Sequence, residues 1–189
     1  VTFYVKNSRN MSTTSCVWYK VIAPKPEIKV TELTLMAGKP LDGEVLKQFV
    51  TASDPIDGDI SGDVKADLEN VDLNKKGSYK LRLYVTNSNS KMTSVITTLT
   101  VTAVKPVIRA DTWEINAGTH LNIDDIIRHV SATDDVDGDL TGAVNYDVSK
   151  VNTLVEGNYP IVYTVINSNE IENETVGHVI VKSQLPSID

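Results

Sequence analysis

Carboxylates crowd two short segments of this chain, Asp54-Pro55-Ile56-Asp57-Gly58-Asp59 and Asp134-Asp135-Val136-Asp137-Gly138-Asp139. Acids packed this closely repel one another unless a cation, hydrogen-bond donors or full solvation compensates, and a hard divalent ion with a preference for oxygen answers that need. Calcium is the candidate cofactor. Its ligands would be Asp54, Asp57 and Asp59 in the first loop and Asp134, Asp135, Asp137 and Asp139 in the second. Gly58 and Gly138 would let each loop curl so that its carboxylates converge. The spacing departs from the helix-loop-helix calcium loop, which carries glutamate at its twelfth position; counted from Asp54 that position holds Lys65, and from Asp134 it holds Asn145. The other reading is an Asp-Gly turn whose neighbouring aspartates accept backbone hydrogen bonds. The turn is the preferred of the two, and the recurrence of the motif does not separate them, since either role would recur with it.

Other reactive side chains assemble less well. His120, His129 and His178 all lie in the second half of the chain, where the matched positions of the first half hold Pro40, Phe49 and Thr98. Two of them with Asp124 or Asp125 would make a zinc site only with a geometry that spacing does not supply, so surface histidines are the simpler account. Cys16 is alone, with no matched histidine, which argues against a catalytic thiol. Trp18 and Trp113 could contribute to a flat sugar platform, but their positions are unmatched and packing in a strand or interface is preferred. Asn10-Met11-Ser12 and Asn173-Glu174-Thr175 fit the N-glycosylation acceptor pattern, a match that a bacterial origin would empty of meaning. No catalytic residue is expected.

The elements that would position these loops follow from an internal repeat. At an offset of 80 residues, Asp57-Gly58-Asp59 superposes on Asp137-Gly138-Asp139, Gly38 on Gly118, Gly77-Ser78-Tyr79 on Gly157-Asn158-Tyr159, and Asn87-Ser88-Asn89 on Asn167-Ser168-Asn169. Residues 26–105 and 106–185 are expected to be one repeat each, residues 1–25 the closing hairpin of a preceding copy, and residues 186–189 the start of a following one. Each repeat opens at a proline with an extended segment carrying Ile28, Val30, Leu33 and Leu35, or Val107, Trp113 and Ile115, and turns at Gly38 or Gly118. A helical turn follows, with Leu46, Phe49 and Val50 matched by Ile126, Ile127 and Val130, too short to stand without tertiary packing.

Beyond each acidic loop, strand alternation returns at Val64, Ala66 and Leu68. It is clearest at Tyr79, Leu81, Leu83 and Val85, paired through an Asn-Ser-Asn turn with Val95, Thr97, Leu99 and Val101. The same hairpin is expected near the start of the chain, from Phe3 and Val5 to Val17, Tyr19 and Val21. Tyr79 and Tyr159 should bury their rings and send their hydroxyls to a backbone acceptor at a sheet corner. Short alternating strands with almost no helix predict an all-β fold of tandem antiparallel β-sandwiches, each with a short helical turn. The linkers Ala23-Pro24-Lys25-Pro26 and Ala103-Val104-Lys105-Pro106 should be semi-rigid.

The charge balance of 18 basic and 25 acidic residues, net -7, makes nucleic acid and anionic membranes poor partners. No apolar run approaches the length of a membrane span, so no membrane insertion is expected in this segment. The run Ala132-Thr133-Asp134-Asp135-Val136-Asp137-Gly138-Asp139-Leu140-Thr141-Gly142, followed by Gly157-Asn158-Tyr159, resembles the immunoglobulin-like repeats of Gram-positive cell-wall adhesins and internalin-like proteins. The first copy matches through Ala52, Asp54, Asp57-Gly58-Asp59, Gly62 and Gly77-Ser78-Tyr79, and departs at Pro55 where the second has Asp135. The resemblance implies an immunoglobulin-like fold, an extracellular or cell-surface setting, and a non-enzymatic stalk whose partners are neighbouring repeats. The rival expectation is an adhesive module that binds a host protein or glycan; a third is an accessory module of a secreted glycan hydrolase.

Overall fold

The structure, a computed structural model, describes residues 1–183. The expected start of a following repeat at 186–189 lies outside the described residues. A hairpin of β1 (Thr2–Lys6) and β2 (Ser12–Cys16) comes first. The first unit then runs β3 (Glu27–Val30), β4 (Leu33–Met36), α1 (Gly43–Leu46), β5 (Val50–Asp54), β6 (Gly58–Asp59), β7 (Lys65–Asp67), β8 (Gly77–Thr86) and β9 (Met92–Thr102). The second unit repeats this order as β10 (Val107–Ala110), β11 (Thr112–Asn116), α2 (Ile123–Arg128), β12 (Val130–Asp134), β13 (Gly138–Asp139), β14 (Asn145–Asp147), β15 (Gly157–Ile166) and β16 (Glu172–Lys182). A 3-10 turn, Ser61–Asp63 or Thr141–Ala143, follows each acidic loop.

Each unit is a two-sheet sandwich. A small sheet in the order β3-β5-β6 faces a larger one in the order β4-β9-β8-β7, and the second unit has β10-β12-β13 facing β11-β16-β15-β14. The opening extended segment is therefore two strands in different sheets rather than one. The chain crosses over at Thr31, whose N–H donates to the Phe49 carbonyl, and at Asp111, whose N–H donates to His129. After crossing, β4 runs parallel to β9 and β11 parallel to β16, an exception to the antiparallel pairing expected throughout. A strand that switches sheets keeps its direction, so it meets the closing strand parallel rather than as a hairpin partner.

Alternation in β8 and β9 puts Leu81, Leu83, Val85, Leu99 and Val101 inward, where they meet Leu33 and Leu35 of β4 and Val50 and Ala52 of β5. Each such side chain removed from water contributes about 1.5–3 kcal/mol. The helical turns plug the core with Leu46 and Ile126. Asp42 caps α1 by accepting from Glu44 and Val45 N–H, and the matched Asn122 caps α2 by accepting from Asp125 N–H. Val50 and Val130, expected on the helical turn, instead open strands.

Gly38 and Gly118 turn the chain with φ of +80° and +83°. Tyr79 and Tyr159 send their hydroxyls to the carbonyls of Lys75 and Val155, both at 2.9 Å. Each ring lies over the glycine two residues earlier, where a Cβ would sit 3.4 Å from Tyr79 and 3.1 Å from Tyr159. The rings are half-buried rather than buried.

The amino-terminal hairpin has the expected turn, but β2 ends at Cys16, so Val17, Tyr19 and Val21 are not in a strand. Val1 and Val17 exchange a further pair of backbone bonds beside the Thr2 and Cys16 pair. Trp18 is 94% exposed, which corrects the expectation that it packs. Among the described residues no helix is long and apolar enough to cross a membrane.

Candidate functional site

The polar side chains that the structure gathers lie at one end of each unit, where the acidic loop, the Asn-Ser-Asn turn and the incoming linker meet. Asp54 ends β5 and is buried; its Oδ1 accepts from Ile56 N–H at 2.9 Å and Asp57 N–H at 3.2 Å, forming the turn that Gly58 completes with φ of +76°. Its Oδ2 accepts from Asn87 Nδ2 at 2.8 Å. The same amide group donates to the Pro24 carbonyl at 3.1 Å, while Asn87 Oδ1 accepts from Asn89 and Lys91 N–H. One buried asparagine thus ties together the hairpin turn, the acidic loop and the linker.

Asp57 clasps the turn from the other side, accepting from Ser88 N–H at 2.7 Å and Ser88 Oγ at 2.6 Å. Asp59 accepts from the N–H and the hydroxyl of Ser61, whose Oγ also accepts from Ala52 N–H.

The second unit reproduces this arrangement. Asp134 accepts from Val136, Asp137 and Asn167, and Asn167 Nδ2 also reaches the Val104 carbonyl at 3.0 Å. Asp137 accepts from Ser168 N–H at 2.6 Å, and Asp139 from Thr141 N–H at 2.9 Å. Asp135 is exposed. A second matched strap holds each linker, from Thr93 Oγ1 to the Pro26 carbonyl and from Asn173 Nδ2 to the Pro106 carbonyl. Asn173, the first residue of one glycosylation-like triplet, is therefore a structural donor.

These bonds explain how the carboxylates tolerate one another. The Asn87 amide holds the Asp54 carboxyl below its ordinary value, aided by the two backbone N–H groups and opposed by burial. At Asp134 burial pushes upward, and the bonds from Asn167, Val136 and Asp137 outweigh it, so the net shift is again downward. The Ser61 hydroxyl and N–H lower Asp59, and Thr141 lowers Asp139. Both oxygens of Asp54 and of Asp57 already accept from N–H or O–H groups, and Asp59 Oδ1 accepts from Ser61. Among the described residues no three Asp, Glu, His or Cys side chains converge as a metal-ligand group.

His129 and Cys16 lie away from these clusters, and His120 is exposed. His129 stacks on Trp113 with ring centroids 4.6 Å apart and planes 8° from parallel. Cys16 Sγ lies 3.4 Å from Thr2 Oγ1, exposed on the hairpin.

A contact that sequence reading missed joins the two units. Asn169 is only 1% exposed; its Oδ1 accepts from Lys76 N–H at 2.6 Å and its Nδ2 donates to the Asn74 carbonyl at 3.1 Å. Beside it, Val136 of the second acidic loop packs against the first unit's core and comes within 3.2 Å of where a Cβ on Gly38 would stand. The signal was present in the matched Asn-Ser-Asn turn, but a sequence does not say which part of the preceding unit that turn will meet.

No protein-family model matches the chain. It is 28% identical over 184 residues to the pesticidal crystal protein Cry22Aa of Bacillus thuringiensis, a match that covers 96% of this chain and 25% of that protein. Among solved structures, the CBM51-2 and INT domains of Clostridium perfringens ZmpB, in complex with GlcNAc, align with a TM-score of 0.35 at 21% identity, covering 42% of this chain and 17% of that one. The M60 catalytic domain of ZmpB with its CBM51-1 and CBM51-2 domains aligns at 0.48 and 10% identity, covering 92% and 32%. Protocadherin Gamma B2 extracellular cadherin domains 1-5 align at 0.30 and 16% identity, covering 98% and 46%. The chain spans a quarter of the length of the curated relative that it matches.

Proposed function

We propose that this chain is a non-enzymatic structural segment of an extracellular bacterial protein, a run of β-sandwich repeats that holds other domains at a distance. The observation that carries the reading is where the buried polar groups are used. Asn87 and Asn167 bind the linkers entering their units, and Asn169 binds the preceding unit, so they fix joints rather than line a cavity. Cys16 and His129 sit apart in the fold, on the amino-terminal hairpin and against Trp113, with neither poised as nucleophile or base for the other. Small-angle scattering tests the spacer reading. The expected result is one elongated species with a narrow range of angles between units, unchanged by candidate ligands; a broad distribution of angles would sink it.

One groove favours adhesion as a second reading. Ala66, Asp67, Leu68, Arg82, Tyr84 and Met92 line an open depression on the large sheet of the first unit, with the Arg82 guanidinium 6.0 Å from the Tyr84 ring centroid. An aromatic face beside a fork of donors suits a sugar ring. The matched positions of Arg82 and Tyr84 are Val162 and Thr164, so the second unit lacks this pair. Saturable binding to a glycan array that is abolished by Tyr84→Ala would establish this reading over the spacer.

A further inference from the structure

We propose that the two ends of this pair of units are docking surfaces for a further copy of the same repeat, joined head to tail through the contact that Asn169 makes. The inference deepens the spacer reading and rests on it. Its basis is a difference between matched positions. Val136 and Asn169 are half-buried and buried against the first unit, whereas Ile56, matched to Val136, is 60% exposed, and Asn89, matched to Asn169, is also exposed. Among the described residues the Asn89 side chain reaches only Ser88 Oγ, at 3.5 Å. Ile56 and Asn89 are nevertheless carried by the same clasp, Asp54 and Asp57 against Asn87 and Ser88, that presents Val136 and Asn169.

The complementary surface lies at the far end of the second unit. The turn that receives Asn169 is shaped by three bonds: Asn74 N–H to Asp72 Oδ1, Gly38 N–H to the Leu73 carbonyl, and Tyr79 OH to the Lys75 carbonyl. All three recur, as Leu154 N–H to Asn152 Oδ1, Gly118 N–H to the Thr153 carbonyl, and Tyr159 OH to the Val155 carbonyl. The Leu154 carbonyl and Glu156 N–H therefore stand where the Asn74 carbonyl and Lys76 N–H stand in the first unit. Among the described residues a Cβ on Gly118 would meet nothing within 4 Å, where one on Gly38 meets Val136. Because the receiving groups are backbone, the change from Asn74-Lys75-Lys76 to Leu154-Val155-Glu156 leaves the docking geometry intact. Charge also suits the fit, since Lys91 lies two residues after Asn89 and the open turn carries Glu156.

Hydrogen exchange tests this in two steps. In the unmodified chain, Lys76 N–H should exchange at least about tenfold more slowly than Glu156 N–H, since only Lys76 is docked; equal rates would overturn the proposal. Appending a further copy of residues 26–105 after residue 185 should then slow Glu156 by a similar factor, with Asn89→Ala in the added copy restoring the fast rate. Protection of the added copy's Leu81 and Leu83 amides reports its folding. An unprotected Glu156 beside a folded copy would refute the docking. Ligand binding, which would overturn the spacer reading, leaves this readout unaffected.

Discussion

Asn87 and Asp54 form a buried hydrogen bond of 2.8 Å across 33 residues of chain, and Asn167 and Asp134 repeat it at 2.9 Å in the second unit. In each pair the asparagine also holds the linker that enters the unit, so loop geometry and joint geometry share one side chain. Asn167→Ala would leave the Ile171 N–H and the Val104 carbonyl without their partner. A cost of about 1–3 kcal/mol is expected, the usual penalty for stranding buried polar groups. Urea denaturation of the variant checks it; a midpoint equal to that of the parent would show that the joint does not depend on this amide.

Acid should act on the same clusters. Asp54, Asp59, Asp134 and Asp139 all have carboxyls lowered below the ordinary value of 3.8. A group whose folded pKa is depressed contributes stability that is complete above its unfolded value and is lost as pH falls through the folded value. The melting temperature should therefore stay flat from pH 7 to about 5 and fall progressively below about 4. Asp134→Asn should flatten that fall and lower the plateau, because an amide facing Asn167 Nδ2 can present a second donor there. A steep loss of stability above pH 5 would point to histidine instead.

Calcium separates the two readings of the acidic loops. If N–H and O–H donors compensate the carboxylates, titration of calcium into chelator-treated protein gives no saturable heat and leaves the melt unchanged, and this is the expected outcome. Saturable heat with a raised melting temperature, lost in the Asp57→Asn plus Asp137→Asn variant, would instead make the loops calcium clips.

The fold was readable because the repeat superposes turn on turn, and because β8 and β15 alternate strictly enough to fix their buried face. The switch of the first strand between sheets was not readable. Val30, Thr31, Glu32 and Leu33 present no proline or glycine at the crossing, and what moves the chain is the bond from Thr31 to Phe49. At the site, the aspartates and the Asn-Ser-Asn turn were both visible as separate motifs. Their meeting was not, since Asp54 and Asn87 come together only through the sandwich. Val17, Tyr19 and Val21 were misread because strand alternation was extended past Cys16, the last residue with a partner on β1.

The second unit also carries a volume exchange that makes a two-way prediction. Tyr163 and Gly177 stand at the positions of Leu83 and Thr97 in the first unit, and the Tyr163 ring lies where a Cβ on Gly177 would be, 3.0 Å from Cε2, with the Asp111 carbonyl at 2.9 Å. Tyr163 is fully buried and its hydroxyl reaches the Ile126 carbonyl at 3.4 Å. Gly177→Thr alone should overpack this corner and cost about 1–3 kcal/mol. Tyr163→Leu alone should leave a cavity and cost about 2–4 kcal/mol. Together they restore the pairing of the first unit, except that the carbonyl of Asp111 still crowds position 177. The double variant should therefore lose less than the sum of the single variants, with a coupling of about 1 kcal/mol. Additive losses in urea denaturation would show that the Asp111 carbonyl and the Ala110 methyl, and not the tyrosine ring, are what demand glycine.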